Sequence, residues 1–349
     1  MHVLVTGHLG YVGPGVVAAL KQAGHRVTGL DIGYFKECID PGQVTVAPDR
    51  TIVADVRDVS ARDLEGIEAI VHLAGLSNDP LGQLNPALTG MINHDATIGL
   101  AKLARSAGVG RFIFASSCSI YGASGDASQA LDENAQFRPE SAYAASKADC
   151  ERDLLTLADR SFAPVFLRFA TAFGLSPRMR FDLVLANLTA WARTTGTVKV
   201  LSDGTPWRPL VHVGDMALAI RSAIEAPVDL VRGRPFNIGR PDNNLQVSTI
   251  AETVRLQVPG SEVRITGETG GDPRSYRVDF SRALKELPGF QPTWTVDMGC
   301  EEIDRWIVDR KIDVDQFQSR SYIRLKQLQH LLSTEALNAE LRFRSGAAS

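Results

Sequence analysis

Little in this sequence points to a metal centre, a membrane or a nucleic acid. The four cysteines (Cys38, Cys118, Cys150 and Cys300) lack the paired spacing of metal ligands, so we expect no metal and a reduced, cytoplasmic setting. No apolar run reaches the ~18 residues of a membrane span. We expect no signal peptide, because the first core strand is predicted to begin at residue 2. The net charge of −3 provides no attraction for nucleic acid.

The rest of the composition is that of an ordinary globular protein. Hydrophobic residues make up 44% of the chain and charged residues 22%. A length of 349 residues predicts one large domain or two smaller ones, with enough chain for a sizeable core.

The first thirty residues have the order strand, turn, helix, strand and acid. An apolar strand (residues 2–6) leads into a turn, a helix (residues 14–23) and a second strand (residues 26–30) that ends at Asp31. The turn carries three glycines at a spacing of three, Gly7, Gly10 and Gly13. This order is typical of the dinucleotide-binding βαβ unit, in which the glycine turn admits a pyrophosphate to the helix N-terminus.

Asp31 indicates which dinucleotide is bound. A carboxylate at the end of the second strand can accept hydrogen bonds from the adenosine ribose hydroxyls. The same carboxylate repels a 2′-phosphate, so we expect NAD rather than NADP.

Strands and helices continue to alternate over the first ~170 residues, which predicts a doubly wound parallel sheet. Strands are predicted at residues 51–55, 67–73 and 111–115, and a helix at residues 91–107. Polar or small residues follow the strand ends, namely Asp55, Gly75, Ser116 and Ser117. Ligands of such sheets bind outside the carboxyl ends of the strands, so we expect these residues to border one site.

Tyr143 and Lys147 form the chemical centre of the prediction. They stand four apart in a predicted helix (residues 141–158), so their side chains share one face. An ammonium beside a phenol favours the phenolate and lowers the phenol pKa from ~10. Such a tyrosine can move a proton at neutral pH, an effect typically worth ~10²–10⁴ in rate.

Together these motifs resemble the extended short-chain dehydrogenases/reductases of the NAD-dependent epimerase/dehydratase family. The similarity covers roughly residues 2 to 306. The matching motifs are Thr6-Gly7-x-x-Gly10-x-x-Gly13, Asp31, Asp55-Val56-Arg57-Asp58, His72-Leu73-Ala74-Gly75, Asn93, Ser116-Ser117-x-x-x-Tyr121-Gly122, Tyr143-x-x-x-Lys147, Leu167-Arg168-Phe169, Phe173-Gly174 and Arg208-Pro209-Leu210-Val211-His212-Val213.

The resemblance implies a Rossmann domain and a smaller C-terminal α/β substrate domain. The Rossmann domain is expected to span residues 1–174, with residues 207–238 returning to it. The substrate domain then comprises residues 175–206 and 239–310, and residues 311–349 form a helical tail. The family further implies a nucleoside-diphosphate sugar as substrate and a homodimer formed through the helices near residues 91–107 and 142–158.

The resemblance also assigns roles to single residues. Tyr143 is expected to be the acid/base, Lys147 to tune it and hold the nicotinamide ribose, and Ser117 to bond the reacting sugar oxygen. Arg208 and Arg274 are expected to pair with the substrate diphosphate. The expected cofactor contacts are Gly7, Gly10, Tyr11, Val12, Gly13, Asp31, Asp55, Val56, Leu73, Ala74, Gly75, Asn93, Ser116, Tyr143 and Lys147. Asn93 is expected to act by supporting the helix near the lysine.

Some positions depart from the family pattern and bear on the substrate. Asp182 and Thr171 stand where epimerases often carry asparagine, and Thr269 stands where many relatives carry arginine. Arg274 is close enough in sequence to Thr269 to replace that arginine.

Cys118 and Ser119 occupy the positions at which dehydratases commonly carry an Asp-Glu pair. We therefore expect a nucleotide-sugar epimerase acting at C4 through a transient keto sugar. The alternative is a ketoreductase of a nucleotide-linked 4-keto sugar. A dehydratase or a non-catalytic dinucleotide-binding protein is disfavoured.

The second half of the chain supports four structural predictions. His212 is expected to be structural, and Asp215 to cap the following helix (residues 216–226). The helix at residues 247–258 is expected to start at Ser248 or Thr249. Apolar residues from Tyr322 to Leu332 predict an added helix, packed on the body or on a partner subunit.

Overall fold

The computed structural model describes residues 1–40, 45–77, 85–122, 129–268 and 274–344. The strands, in chain order, are β1 (His2–Thr6), β2 (Arg26–Asp31), β3 (Arg50–Val53), β4 (Ala69–His72), β5 (Arg111–Ser117), β6 (Ala130–Leu131), β7 (Ala163–Phe169), β8 (Thr171–Phe173), β9 (Thr197–Val200), β10 (Trp207–His212), β11 (Pro235–Ile238), β12 (Asn244–Gln246), β13 (Glu262–Ile265) and β14 (Arg277–Val278).

The helices, in chain order, are α1 (Gly13–Gln22), α2 (Pro86–Thr89), α3 (Ala96–Ser106), α4 (Ala142–Leu155), α5 (Val184–Thr195), α6 (Val213–Glu225), α7 (Val228–Val231), α8 (Val247–Gln257), α9 (Ser281–Glu286), α10 (Val296–Arg310), α11 (Val314–Phe317) and α12 (Arg324–Ser333). A π-helical segment, Gly90–Asp95, precedes α3, so the helix predicted over residues 91–107 is present but begins with wider turns.

Seven parallel strands form the main sheet, in the spatial order β11-β7-β5-β4-β1-β2-β3. The sheet is covered on both faces, because successive residues of β1 enter different cores. Val3 and Val5 pack in the core that contains α1, whereas Leu4 packs in the core that contains α3. This is the predicted doubly wound α/β fold of the Rossmann type.

The carboxyl ends of the central strands lie along one edge of this sheet. Gly7 follows β1, Asp31 ends β2, and Ser117 ends β5. The strand order reverses direction beside β1, which is where doubly wound sheets bind their ligands. The fold thus brings together residues that are far apart in sequence.

Smaller sheets stand beside the main one. Strand β10 lies between β8 and the antiparallel β12, and β9 pairs with β13. The chain rejoins the large sheet at Pro235–Ile238, whereas Trp207–His212 pairs with β8 and β12. Helix α6, which follows β10, packs against α1, one of the helices that cover the large sheet.

Two predicted helix caps are wrong. Helix α6 begins at Val213 and is capped by His212, whose ring accepts a hydrogen bond from the Gly214 N–H. Asp215 instead accepts hydrogen bonds from the backbone N–H groups of residues 293 and 294. Helix α8 begins at Val247, with no side-chain cap from Ser248 or Thr249.

The tail packs on the body of the same chain. Leu328 and Leu331 of α12 join a core cluster with Tyr34, Leu76 and Ile92. Within the described residues, no helix has the length and apolarity needed to cross a membrane. The same residues contain no group of three or more side chains that could ligate a metal.

Candidate active site

A cavity of about 680 Å³ opens at the carboxyl edge of the large sheet. Its wall includes most of the predicted cofactor contacts, namely Gly7, Gly10, Tyr11, Val12, Gly13, Asp31, Asp55, Val56, Leu73, Ala74, Gly75, Ser116, Tyr143 and Lys147. Ser117, Arg208 and Arg274 line the same cavity. The structure therefore brings the predicted cofactor and substrate residues into one continuous site.

The glycine turn is held by close packing of the chain on itself. A Cβ on Gly7 would lie 2.7 Å from the Ala74 nitrogen, and one on Gly13 would lie 2.5 Å from the His8 carbonyl oxygen. Gly7 also has a φ of 74°, which favours glycine. These two glycines are thus required by the turn itself, a reason that sequence analysis did not give.

The N-terminus of α1 faces the cavity through Gly13 and has no side-chain cap. The first backbone N–H groups of a helix lack partners within the helix and attract anions. The turn therefore offers donors and a favourable dipole to a phosphate.

Asp31 and Asp55 are held in place at neighbouring strand ends. The Asp31 carboxylate accepts hydrogen bonds from the N–H groups of Leu9 (3.0 Å) and Gly33 (2.8 Å). Asp55 accepts from the backbone and guanidinium of Arg57. Both carboxylates line the cavity, so they can accept hydrogen bonds from a bound nucleoside.

Lys147 lies beneath Tyr143 on α4. Its Nζ is 5.7 Å from the centroid of the Tyr143 ring, 4.6 Å from that of Phe114, and donates to the Ala115 carbonyl at 2.7 Å. Burial lowers the pKa of Lys147 to about 8. The ammonium therefore predominates at neutral pH, next to the phenol that it is expected to tune.

The two serines after β5 have different partners. The Ser116 Oγ donates to the Glu151 carboxylate at 2.5 Å, and Glu151 forms a buried ion pair with Arg168 at 2.7 Å. The Ser117 Oγ accepts hydrogen bonds from the backbone and side chain of Ser119. Ser116 is thus occupied by a buried network, whereas Ser117 is held on the cavity wall.

Asn93 does not line the cavity. Its side-chain amide donates to the Leu76 carbonyl at 3.1 Å and to the Ser146 Oγ at 3.3 Å. Its oxygen accepts from the Leu76 N–H at 2.7 Å. The residue therefore joins the strand-end loop to α4.

Arg208 and Arg274 both line the cavity and contact each other. Nη1 of Arg208 donates to the backbone carbonyl of Arg274. Thr171 lies on the cavity wall as well. Thr269, where we expected a difference from relatives, lies outside the described residues.

Arg180 is a cavity residue that sequence analysis missed. Asp182, one of the positions that depart from the family pattern, forms a bidentate ion pair with Arg180 at 2.8 and 2.9 Å. The Arg180 guanidinium also lies 6.0 Å from the Tyr11 ring centroid and bonds the Ser77 Oγ at 3.3 Å. The run Arg178-Met179-Arg180-Phe181-Asp182 contains the signal, a charge cluster in an apolar segment.

Comparison with known proteins agrees with this geometry. The model of the NAD dependent epimerase/dehydratase family matches residues 3–239. The chain belongs to this family. It is therefore an NAD-dependent enzyme of the extended short-chain dehydrogenase/reductase type.

Individual relatives are distant but match along nearly their whole length. UDP-glucose 4-epimerase of Bacillus subtilis (strain 168) is 27% identical, over 88% of this chain and 96% of that protein. UDP-glucuronic acid decarboxylase 6 of Arabidopsis thaliana is 28% identical, over 84% of each chain. The solved structure of MoeE5 in complex with UDP-glucose and NAD has a TM-score of 0.75 and 26% identity, over 89% of this chain and 100% of that one.

The cavity fits NAD by its own chemistry. The uncapped start of α1 suits a pyrophosphate, and Asp31 suits a ribose with free hydroxyls. Tyr143 and Lys147 line the same cavity.

Proposed function

We propose that this enzyme is a nucleotide-sugar epimerase that inverts C4 of a nucleoside-diphosphate sugar through a transient keto sugar. The observation that carries the proposal is the Tyr143 and Lys147 pair, which shares one cavity with Ser117, the glycine turn and two arginines. The named activity of the Bacillus subtilis relative supports the choice of C4.

Bound NAD, held by the residues of the cofactor cavity, would supply reversible hydride transfer at the sugar carbon. Tyr143 removes the proton from the C4 hydroxyl and gives it back when the hydroxyl is re-formed. The Lys147 ammonium stabilises the phenolate, and Ser117 holds the reacting oxygen by a hydrogen bond. No further acid or base is required, because the keto sugar only has to turn over in the cavity so that the hydride returns to the opposite face of C4.

The substrate diphosphate is assigned to Arg208 and Arg274. A guanidinium suits phosphate oxygens because it offers several N–H donors in one plane. We assign NAD binding to all the predicted cofactor contacts that line the cavity. Asn93, which does not line it, is assigned the role of supporting the helix near Lys147. We assign residues 1–174 and 207–238 to the cofactor-binding part of the chain, and residues 175–206 and 239–310 to the substrate-binding part.

A dehydratase reaction is disfavoured by the two residues after Ser117. Cys118 is fully buried, its Sγ donates to the Arg168 carbonyl, and burial raises the pKa of the thiol. The Ser119 hydroxyl is bonded to Ser117. Neither side chain is suited to the additional proton transfers that water elimination needs.

We further propose a homodimer formed through helices α3 and α4. Exposed apolar side chains beside these helices, Met91 and Leu155, support this surface. Light scattering of the purified protein checks the stoichiometry. We also propose a cytoplasmic location, which the four free, buried cysteines support.

Replacement of Tyr143 by phenylalanine tests the reaction. Tyr143→Phe should lower kcat for a C4-epimerised UDP-sugar by roughly 10²–10⁴. Tyr322→Phe is the matched control, because it removes a phenol from an aromatic cluster of the tail and should leave kcat unchanged. Both variants should retain bound NAD. Full turnover by Tyr143→Phe would refute the assigned chemistry.

A further inference from the structure

The C-terminal tail forms part of the wall of the cofactor cavity. Tyr34, Leu76 and Ile92, which pack against Leu328 and Leu331 of α12, also line the cavity. The family model ends at residue 239, and the structure of MoeE5 is matched in full by 89% of this chain. The tail therefore lies outside the part of the chain that the family model matches, and its residue Arg324 lines the cavity.

Polar contacts hold the end of the tail on the segments that follow β2 and β3. The Tyr34 hydroxyl donates to the Leu341 carbonyl. The Arg57 guanidinium, which also bonds Asp55, donates to the Glu340 carbonyl at 2.8 Å. The end of the tail is therefore anchored to residues that border the adenosine side of the cavity.

Arg324, the first residue of α12, brings a buried charge to this wall. Its side chain is 2% exposed and lines the cavity. The guanidinium donates to the carbonyls of Arg178 (2.7 Å) and Ser321 (3.4 Å) and lies 4.9 Å from the Phe35 ring centroid. No carboxylate of the described residues lies within ion-pair distance of it. Burial lowers the pKa of Arg324 to about 10, so it remains charged at neutral pH.

The surroundings of Arg324 are rich in positive charge. Arg178 is 6% exposed and bonds only backbone carbonyls of Phe35 and Lys36 among the described residues. Arg180 is neutralised by Asp182. The carboxylate that acts on Arg324 through its charge, that of Asp182, is already paired with Arg180. A buried cation without an ion pair of its own is costly, and a bound anion removes that cost.

We propose that Arg324 is a binding residue for a phosphate of the bound nucleotide, so that the tail completes the site. The planar guanidinium uses two N–H groups on backbone carbonyls and keeps others for phosphate oxygens. The phosphate belongs either to the NAD pyrophosphate or to the diphosphate of the sugar nucleotide. The inference rests on the cavity and does not depend on the epimerase reaction.

Binding of adenosine and ADP to the cofactor-free protein tests the first source. Arg324→Gln should weaken ADP binding roughly ten- to hundredfold, because a charge-assisted hydrogen bond is lost, and leave adenosine binding unchanged. Lys326→Gln is the matched control, because Lys326 is exposed on the same helix and bonds only the Gln318 carbonyl.

Binding of uridine and UDP to the NAD-loaded protein tests the second source in the same way. A loss confined to ADP assigns Arg324 to the cofactor, and a loss confined to UDP assigns it to the substrate. If Arg324→Gln does not fold, the same nucleoside and nucleotide affinities are compared for Arg324→Lys. This variant keeps the positive charge but loses the planar guanidinium group. Equal losses for nucleoside and nucleotide, or no loss at all, would overturn the proposal. These assays need no turnover, so they remain decisive if the protein epimerises no sugar.

Discussion

The ammonium of Lys147 lies 5.7 Å from the centre of the Tyr143 ring and bonds the Ala115 carbonyl at the end of β5. Burial holds its pKa near 8, well below that of an exposed lysine. The charge is therefore present below pH 8 and is lost as the pH rises through that value. This relationship couples the strand end to the residue assigned as the base.

Activity should accordingly fall on the alkaline side. We expect kcat/KM of the wild-type enzyme to decline above about pH 8, as Lys147 loses its proton. Lys147→Met should be slower by roughly 10²–10⁴ and should lack this alkaline decline. Lys285→Met, on the surface of α9, is the control and should keep the wild-type profile. An alkaline decline that persists in Lys147→Met would assign it to another group.

Most of the fold could be predicted from the sequence, because apolar periodicity and glycine position are local signals. The strands β1 to β5, the glycine turn and the α4 helix all follow from short stretches of sequence. The predicted Tyr143 and Lys147 pair needed only the helical repeat.

The parts that sequence analysis missed depend on contacts between distant segments. Arg324 bonds the carbonyl of Arg178, 146 residues away, and no local pattern indicates that pairing. Asp215 was predicted as a cap because an acid near a helix start usually is one, but the loop at residues 293–294 provides it with other donors. The pairing of Asp182 with Arg180 was missed, because the two side chains meet only in the folded loop.

Asp31 should decide the preference between the two dinucleotides. Asp31→Asn removes the charge that repels a 2′-phosphate, so the ratio of NADP to NAD affinity should rise at least about tenfold. Asp49→Asn is a suitable control. The Asp49 carboxylate also accepts a backbone hydrogen bond from β2, from the Val27 N–H, but it does not line the cavity. Dissociation constants from fluorescence quenching give the ratio. An unchanged ratio in Asp31→Asn would show that another residue selects the cofactor.

The buried ion pair behind Ser116 should be a major source of stability. Arg168→Met leaves the Glu151 carboxylate buried without its partner, so the free energy of unfolding should fall by about 3–5 kcal/mol. Arg305→Met breaks the exposed pair with Glu301 and should cost no more than about 1 kcal/mol. Urea denaturation of both variants measures the difference. An equal loss of unfolding free energy in the two variants would mean that burial does not determine how much the Glu151–Arg168 pair stabilises the protein.

The most direct test of the proposed function follows a sugar nucleotide in deuterated water by NMR. The purified enzyme is incubated with UDP-glucose, and then with UDP-glucuronate, with no dinucleotide added. We predict that the C4 epimer accumulates to equilibrium and that C4 carries no deuterium, because the hydride is held by the bound cofactor and returned. Conversion that requires added NADPH, or deuterium at C4 of the product, would contradict the account.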